Sequence, residues 1–383
     1  MNTILILAGE PSGEKHAASL VHYLKSQKPE LNFYGMGGDL MAKEGVELLY
    51  HVNQTSIMGF AEVIKHLPFI KEMKNKLVQS LDERKPDAVI LVDYPGFNLR
   101  FAVEAKKRNI PVYYYISPQI WAWGKGRIKD IQKLVSHMLV ILPFEKEIYD
   151  KAGVKCTYVG HPLLEQLKFN RNKTEFFDQY KLDKSKPLIA LLPGSRNQEV
   201  LSLLPEMISA VLPLIKQNKI QAVIGGVENV DQTLYGIAKE NNIPVIFNDA
   251  HHLMKHSDQA VVASGTATLE TALCGTPLTV VYKTSALTYL LGRYVVKLDR
   301  ISLVNIISKE MIVPELIQKD ANAEKIRESV LNYLNHPDLV EKTKQKLSKL
   351  QSILGEFSAS ERAGNVILEG MKSRSQKTES SVQ

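Results

Sequence analysis

The chain has 383 residues, 44% hydrophobic and 23% charged, an ordinary globular balance in a chain too long for one core. Its formal charge of +7 suits an anionic partner, such as a phosphorylated substrate or an anionic membrane surface. Nucleic acid is not expected, because there is no Lys/Arg block, zinc-ligand spacing or RNA-binding aromatic motif.

The two cysteines, Cys156 and Cys274, form no CxxC pair and read as buried thiols of a reduced, cytosolic chain. No basic stretch precedes the first strand, so no signal peptide is expected. No apolar run approaches the ~20 residues that span a bilayer, so any membrane contact is expected to be peripheral.

In chain order, short apolar runs alternate with helical patterns. Strands are predicted at Ile4–Ala8, Asn32–Tyr34, Ala88–Val92, Val112–Ile116, Met138–Ile141 and Thr157–Val159. Helices are predicted between them at Glu14–Gln27, Ile64–Arg84, Leu99–Arg108, Gly126–Lys133 and Glu145–Lys151. Residues 166–187 are polar and read as a linker around an aromatic helical patch. The alternation resumes with strands at Leu188–Leu192, Gln221–Ile224, Pro244–Phe247, Gln259–Ala263 and Leu278–Val281. From Pro314 onward the pattern is helical, and residues 372–383 read as a disordered Ser/Lys/Glu-rich tail. Alternating strand and helix predicts parallel sheets covered on both faces. Two strand–Gly-turn–helix openings, after Ala8 and after Leu192, predict two nucleotide-fold domains, residues 1–165 and 188–371, facing each other across a cleft.

In such sheets ligands bind beyond the carboxyl ends of the strands, so the residues just after each strand carry the functional argument. Pro193-Gly194-Ser195-Arg196 combines a strand end, a glycine, a helix start and a cation, which favours a diphosphate. Ser264-Gly265-Thr266 opens another helix. Glu270, at i+4 from Thr266 on the same helix face, could accept bonds from ribose hydroxyls, or could be an ordinary solvated Glu behind a capped helix. Asp93 follows a strand within Asp-Tyr-Pro-Gly-Phe-Asn. It reads equally as a base with a raised pKa or as a helix cap. Trp121 and Trp123, the two tryptophans of the chain, follow another strand and read as contacts for sugar faces or acyl chains, or as two indoles packing a loop onto the sheet. Lys65, Lys71, Lys74 and Lys76, interleaved with Ile64, Phe69, Ile70 and Leu77, read as a bilayer-facing segment or as an amphipathic core helix. His251, His252 and His256 read as surface or capping residues.

Several motifs are missing. No GxGxxG follows the first strand, and no GxxxxGK[ST], DxD, HExxH or GxSxG is present, which disfavours a dehydrogenase, a P-loop NTPase, a metal site and an esterase elbow. No metal ligand and no cofactor are expected.

The ordered motifs Gly9-Glu10-Pro11-Ser12-Gly13, Met36-Gly37-Gly38, Ser56-Ile57-Met58-Gly59, Asp93-Tyr94-Pro95-Gly96-Phe97-Asn98, Trp121-Ala122-Trp123, Leu142-Pro143-Phe144-Glu145, Gly160-His161-Pro162, Leu192-Pro193-Gly194-Ser195-Arg196, Ser264-Gly265-Thr266-Ala267 and Ser302-Leu303-Val304-Asn305 resemble the lipid-A-disaccharide synthase family. The resemblance implies a GT-B fold and an inverting, metal-independent glycosyltransferase. Its substrates would be UDP-2,3-diacylglucosamine and 2,3-diacylglucosamine 1-phosphate. Its products would be the β-1,6-linked disaccharide and UDP. It implies catalytic roles for Asp93 and Arg196. It implies nucleotide contacts from Gly194, Ser195, Arg196, Ser264, Gly265, Thr266, Glu270 and Asn305. Acceptor and lipid contacts would come from Glu10, Ser12, Gly13, Met58, Trp121 and Trp123. It further implies peripheral attachment to the cytoplasmic face of the inner membrane, with no nucleic acid, and allows a homodimer. Glu14 and Gln119 depart from the family pattern, where Asp and Ser are common. A UDP-sugar epimerase of the same fold and a non-catalytic nucleotide-binding module are the competing readings.

Overall fold

The computed structural model describes residues 3–54, 67–121, 126–284, 300–355 and 358–380. The described residues form two compact units, 1–162 with 354–383, and 163–353. Each contains one parallel sheet.

The first sheet has seven strands: β1 (Thr3–Ala8), β2 (Asn32–Gly37), β3 (Val46–His51), β4 (Ala88–Val92), β5 (Val112–Tyr115), β6 (His137–Val140) and β7 (Cys156–Tyr158), in the order β3-β2-β1-β4-β5-β6-β7. The second has six: β8 (Leu188–Leu192), β9 (Gln221–Gly226), β10 (Val245–Phe247), β11 (Gln259–Ala263), β12 (Leu278–Tyr282) and β13 (Glu315–Ile317), in the order β10-β9-β8-β11-β12-β13. Both orders reverse direction at one point, between β1 and β4 and between β8 and β11. This is the doubly wound arrangement with its topological switch point.

The central strands are buried on both faces, which is why they read as continuous apolar runs rather than alternating ones. Leu5, Leu7, Val89 and Leu91 face one core and Ile4, Ile6, Ala88 and Ile90 the other. Helix Leu67–Arg84 closes the first of these with Met73, Leu77 and Leu81, and Phe69 and Ile70 pack against it. Its apolar stripe is therefore core, as the amphipathic-helix alternative predicted. Lys71 is exposed, Lys74 lies 3.9 Å from Glu104, and Lys76 stands over the Tyr50 ring. Ile64 and Lys65 lie outside the described residues.

Several boundaries differ from the sequence reading. β3 and β13 were not expected; both are edge strands with one neighbour, so neither carries the apolar run of a central strand. The segment 166–187 is part of the second unit rather than a free linker. Asn172 and Glu175 form a reciprocal capping box at helix Lys173–Gln179, Phe176 and Phe177 are buried, and Arg171 and Tyr180 both bond Asp249.

The chain end does not stay with the second unit. Helix Ala359–Ser380, which includes most of the expected tail, packs on helix Pro11–Gln27 of the first unit. Ala359, Ala363, Ile367 and Leu368 join Leu20, Val21 and Leu24 in one core, and the Tyr23 hydroxyl donates to Asn365 at 2.9 Å. Among the described residues one helix, Asn197–Lys216, is long and apolar enough to cross a membrane. Its Val200, Leu203, Leu204, Met207 and Val211 are buried in the second unit's core.

Candidate active site

At the first switch point, Ala8 pairs with Val92, so the residues that leave β1 and β4 emerge side by side. These are Gly9-Glu10 and Asp93-Tyr94. Asp93 and Tyr94 both hold left-handed backbone, with φ of 46° and 48°. Helix Pro95–Lys107 starts immediately after them, with Tyr94 at its N-cap and no side-chain cap. Asp93 therefore does not cap that helix, and its helix starts earlier than Leu99. A Cβ on Gly9 would overlap the Tyr94 ring, so glycine is what lets the two turns share the edge.

Burial and the neighbouring Glu10 carboxylate push the Asp93 carboxyl up to about 6, against a hydrogen bond from the Tyr94 backbone. A carboxyl at that value is ionised at neutral pH yet basic enough to accept a proton from an alcohol in a transition state. Pro11, Ser12 and Gly13 form the first turn of helix Pro11–Gln27 rather than a turn before it, with Glu10 as the exposed N-cap. Gly13 is buried over Val92 and Asp93. Glu14 is buried too and accepts the backbone N–H groups of Leu40 and Met41 at 2.8 and 3.0 Å, so its carboxylate caps a neighbouring helix. Glu10, Ser12, Gly13 and Asp93 are thus brought together.

The neighbouring strand ends carry a second cluster. Trp121 is half-buried, stacks edge-on against Phe144 and donates its indole N–H to Glu145 at 3.3 Å. The other Glu145 oxygen accepts the Leu142 N–H at 3.1 Å, and Ser117 shares a 2.7 Å hydrogen bond with Tyr149. Burial pushes the Glu145 carboxyl up to about 8 despite those donors. The burial of Glu145 is set by tertiary packing and leaves no mark on local sequence. Trp123 and Met58 lie outside the described residues.

In the second unit, Leu192 pairs with Val262, which sets the turn after β8 beside the turn after β11. Gly194 has φ of 115°, and a Cβ there would overlap Glu199. Ser195 and Arg196 are exposed at the start of helix Asn197–Lys216. The Glu199 carboxylate, which sequence reasoning missed, accepts the Ser195 N–H at 3.0 Å and lies 3.3 Å from the Arg196 guanidinium. It thus occupies two of the groups that the sequence reading assigned to a diphosphate. An acidic residue in the first turn was the available signal.

Gly265 and Thr266 are exposed at the start of helix Thr266–Leu273, and Ser264 is half-buried beside them. Glu270 is half-buried on that helix, with His251 Nε2 3.6 Å away. His251 therefore faces a predicted site residue rather than open surface. His252 and His256 are buried, bonding Asp249 and the Arg171 carbonyl.

Asn305 lies on helix Leu303–Ser308, which packs against helix Thr266–Leu273. It is fully buried, its amide donating to Val313 O and Glu315 and its oxygen accepting Ile312 and Val313 N–H groups. Its carboxamide staples the turn that leads into β13. Cys274 is buried as expected, whereas Cys156 is only half-buried; burial pushes both thiols up to about 12. Among the described residues no cluster of three His, Cys, Asp or Glu side chains could hold a metal.

Two doubly wound units, each with its polar turns gathered at a switch point, make up the GT-B fold. Solved structures agree on the fold. The calicheamicin glycosyltransferase superposes with a TM-score of 0.61 at 16% identity, covering 98% of this chain and 99% of that one. The UDP-GlcNAc 2-epimerase of Neisseria meningitidis, solved bound to UDP-GlcNAc, gives 0.60 at 14% identity over 96% and 99%. The pattern of the Lipid-A-disaccharide synthetase family matches residues 4–369. The lipid-A-disaccharide synthase of Syntrophus aciditrophicus is 43% identical over 370 residues, 95% of this chain and 97% of that protein. The chain belongs to the lipid-A-disaccharide synthase family, and it is a glycosyltransferase of lipid A disaccharide synthesis.

Proposed function

We propose that the protein joins UDP-2,3-diacylglucosamine to 2,3-diacylglucosamine 1-phosphate in one inverting displacement. The acceptor's 6-hydroxyl oxygen forms a bond to C1 of the donor sugar, and its proton passes to the Asp93 carboxylate. The bond from C1 to the diphosphate oxygen breaks, and UDP leaves with the electron pair. Gly194, Ser195 and Arg196 take the diphosphate, with Ser264, Gly265 and Thr266 beside them, and Glu270 takes the ribose. Helix starts and a guanidinium suffice to stabilise that leaving charge without a metal. Glu199 gives up the Ser195 N–H and Arg196 to the arriving phosphate.

The observation that carries this reading is Asp93: a partly buried carboxyl, raised to about 6, at the switch point of the first unit. Glu10, Ser12, Gly13 and Trp121 line the same carboxyl edge and serve the acceptor. The acyl chains call for an apolar surface, and the enzyme works peripherally at an anionic bilayer, with the exposed Lys71 toward it.

The test is to incubate the purified chain with both lipid substrates and separate the products. Stoichiometric disaccharide and UDP, with the β anomer formed and with EDTA without effect, support the proposal. Epimerisation of UDP-GlcNAc, or UDP binding without turnover, would instead favour the competing readings.

A further inference from the structure

The backbone at Asp93 is unusually constrained. Two consecutive non-glycine residues, Asp93 and Tyr94, hold φ of 46° and 48°. That region is sparsely populated and persists where the surroundings over-determine it. Here the surroundings converge on one atom. The Asp93 carbonyl accepts the Tyr114 hydroxyl at 2.6 Å and the Asn98 amide at 2.7 Å. Tyr114 comes from β5 and Asn98 from the first turns of helix Pro95–Lys107, and both are fully buried. The Asn98 amide also donates to Val92 O at 3.2 Å, and the Asp93 N–H donates to Tyr115 O at 3.0 Å. With its donor side on two carbonyls, Asn98 leaves its own oxygen with no hydrogen-bond partner among the described residues. Flipping the amide would set oxygen against oxygen, so the orientation follows from the Asp93 and Val92 carbonyls.

We propose that Tyr114 and Asn98 are positioning residues for the transfer reaction, clamping the Asp93 carbonyl so that its carboxylate is held at the β1/β4 edge beside Glu10. The proposal rests on the reading of Asp93 as the base. An ordinary buried tyrosine satisfies one acceptor wherever it finds one. Here two donors from different elements meet on the carbonyl of a residue held in left-handed backbone. Neither side chain is placed against the substrate, so each acts only through Asp93. The titratable groups facing Asp93 are Glu10 on its own edge and Tyr114 from β5.

The test compares Tyr114→Phe, Asn98→Ala, Asp93→Asn and Tyr113→Phe in the full chain, with disaccharide formation followed against pH and acceptor concentration. Tyr113 lies on the same strand but packs in the opposite core, with the Ala359–Ser380 helix. Tyr114→Phe keeps the ring and removes one donor. A hydrogen bond of this kind lost in the transition state corresponds to about tenfold in kcat. Expected results are that fall, acceptor KM within about twofold, and an acid limb of kcat displaced from its wild-type position as the carboxylate gains water. Asn98→Ala should do the same, and the double variant should lose less than the product of the two because both act on one carbonyl.

Tyr113→Phe should leave kcat and the acid limb unchanged. The proposal is overturned if Tyr114→Phe keeps wild-type kcat and acid limb while Asp93→Asn is inactive. It is equally overturned if Tyr113→Phe loses as much as Tyr114→Phe, since general packing would then explain both. An active Asp93→Asn overturns the base reading itself, and the positioning role with it. Should Asn98→Ala fail to fold, Tyr114→Phe alone carries the test.

Discussion

Replacing Asp93 by Asn should abolish turnover and stabilise the first unit, and both effects follow from one structural cause. The carboxyl rises from 3.8 to about 6 because burial, and next the Glu10 charge, disfavour its ionised form. The folded state therefore holds a proton more tightly than the unfolded chain. For an acid this stability is fully present below about pH 4, is lost as pH rises, and is gone above about pH 6. At about 1.4 kcal/mol per pH unit, the ionised carboxylate costs at most about 3 kcal/mol at neutral pH. Residual solvent contact makes that figure a ceiling, and about 1–3 kcal/mol is expected.

Asn cannot ionise, so the variant escapes this cost. The stability gap between variant and wild type should open between pH 4 and 6 and then stay constant. Removing a general base costs typically about 10²–10⁴ in rate. The assay is urea denaturation at pH 4, 5, 6 and 8, read by tryptophan fluorescence. The two tryptophans, Trp121 and Trp123, belong to the first unit, so the signal reports that unit even if the two unfold separately. Disaccharide formation is measured in parallel. A stability gap that does not change with pH would refute the claim that burial of this charge raises its pKa. More than about half of wild-type activity would refute its role as base.

Other outcomes follow from the same geometry. Arg196→Ala should weaken UDP binding by about tenfold, the size of one charge-assisted contact, by calorimetry; unchanged affinity would sink the diphosphate assignment. Glu145→Gln should remove a pH dependence: the wild-type carboxyl, raised to about 8 chiefly by burial, loses up to about 1.4 kcal/mol of stability per unit between about pH 4.5 and 8. Urea melts at pH 6 and 9 should therefore differ more for wild type than for the variant. Asn305→Ala should lower stability by several hydrogen bonds' worth, about 2–4 kcal/mol, while UDP affinity of the folded protein is unchanged. A selective loss of UDP affinity would return Asn305 to the nucleotide site. Joint Lys65→Glu and Lys71→Glu changes should reduce co-sedimentation with anionic vesicles at low salt, by about 1 kcal/mol or more per lysine; equal sedimentation would clear this segment of a membrane role. Lys74 is left out because a carboxylate there would face Glu104.

The sequence by itself determined the central strands and the turns that follow them. A strand buried on both faces needs an unbroken apolar run, and a turn at a strand end needs glycine or proline, so Ile4–Ala8, Ala88–Val92, Leu188–Leu192 and Gln259–Ala263 announced themselves. With these came the positions of Asp93 and Arg196, because a switch point sits where such strands end.

Other features were decided by contacts made far along the chain. The edge strands β3 and β13 take their state from one neighbour each. The helical end of the chain was expected to stay with the second unit, yet the small apolar stripe Ala359, Ala363, Ile367 and Leu368 becomes core of the first unit once helix Pro11–Gln27 offers Leu20, Val21 and Leu24 to it. The same helix runs on to Ser380 through most of the segment read as a tail. Asn305 carries the residue type of a ligand, but its carboxamide staples its own turn. The raised carboxyls of Asp93 and Glu145 depend on desolvation, which no local sequence encodes, because it is set by what the rest of the chain packs against them.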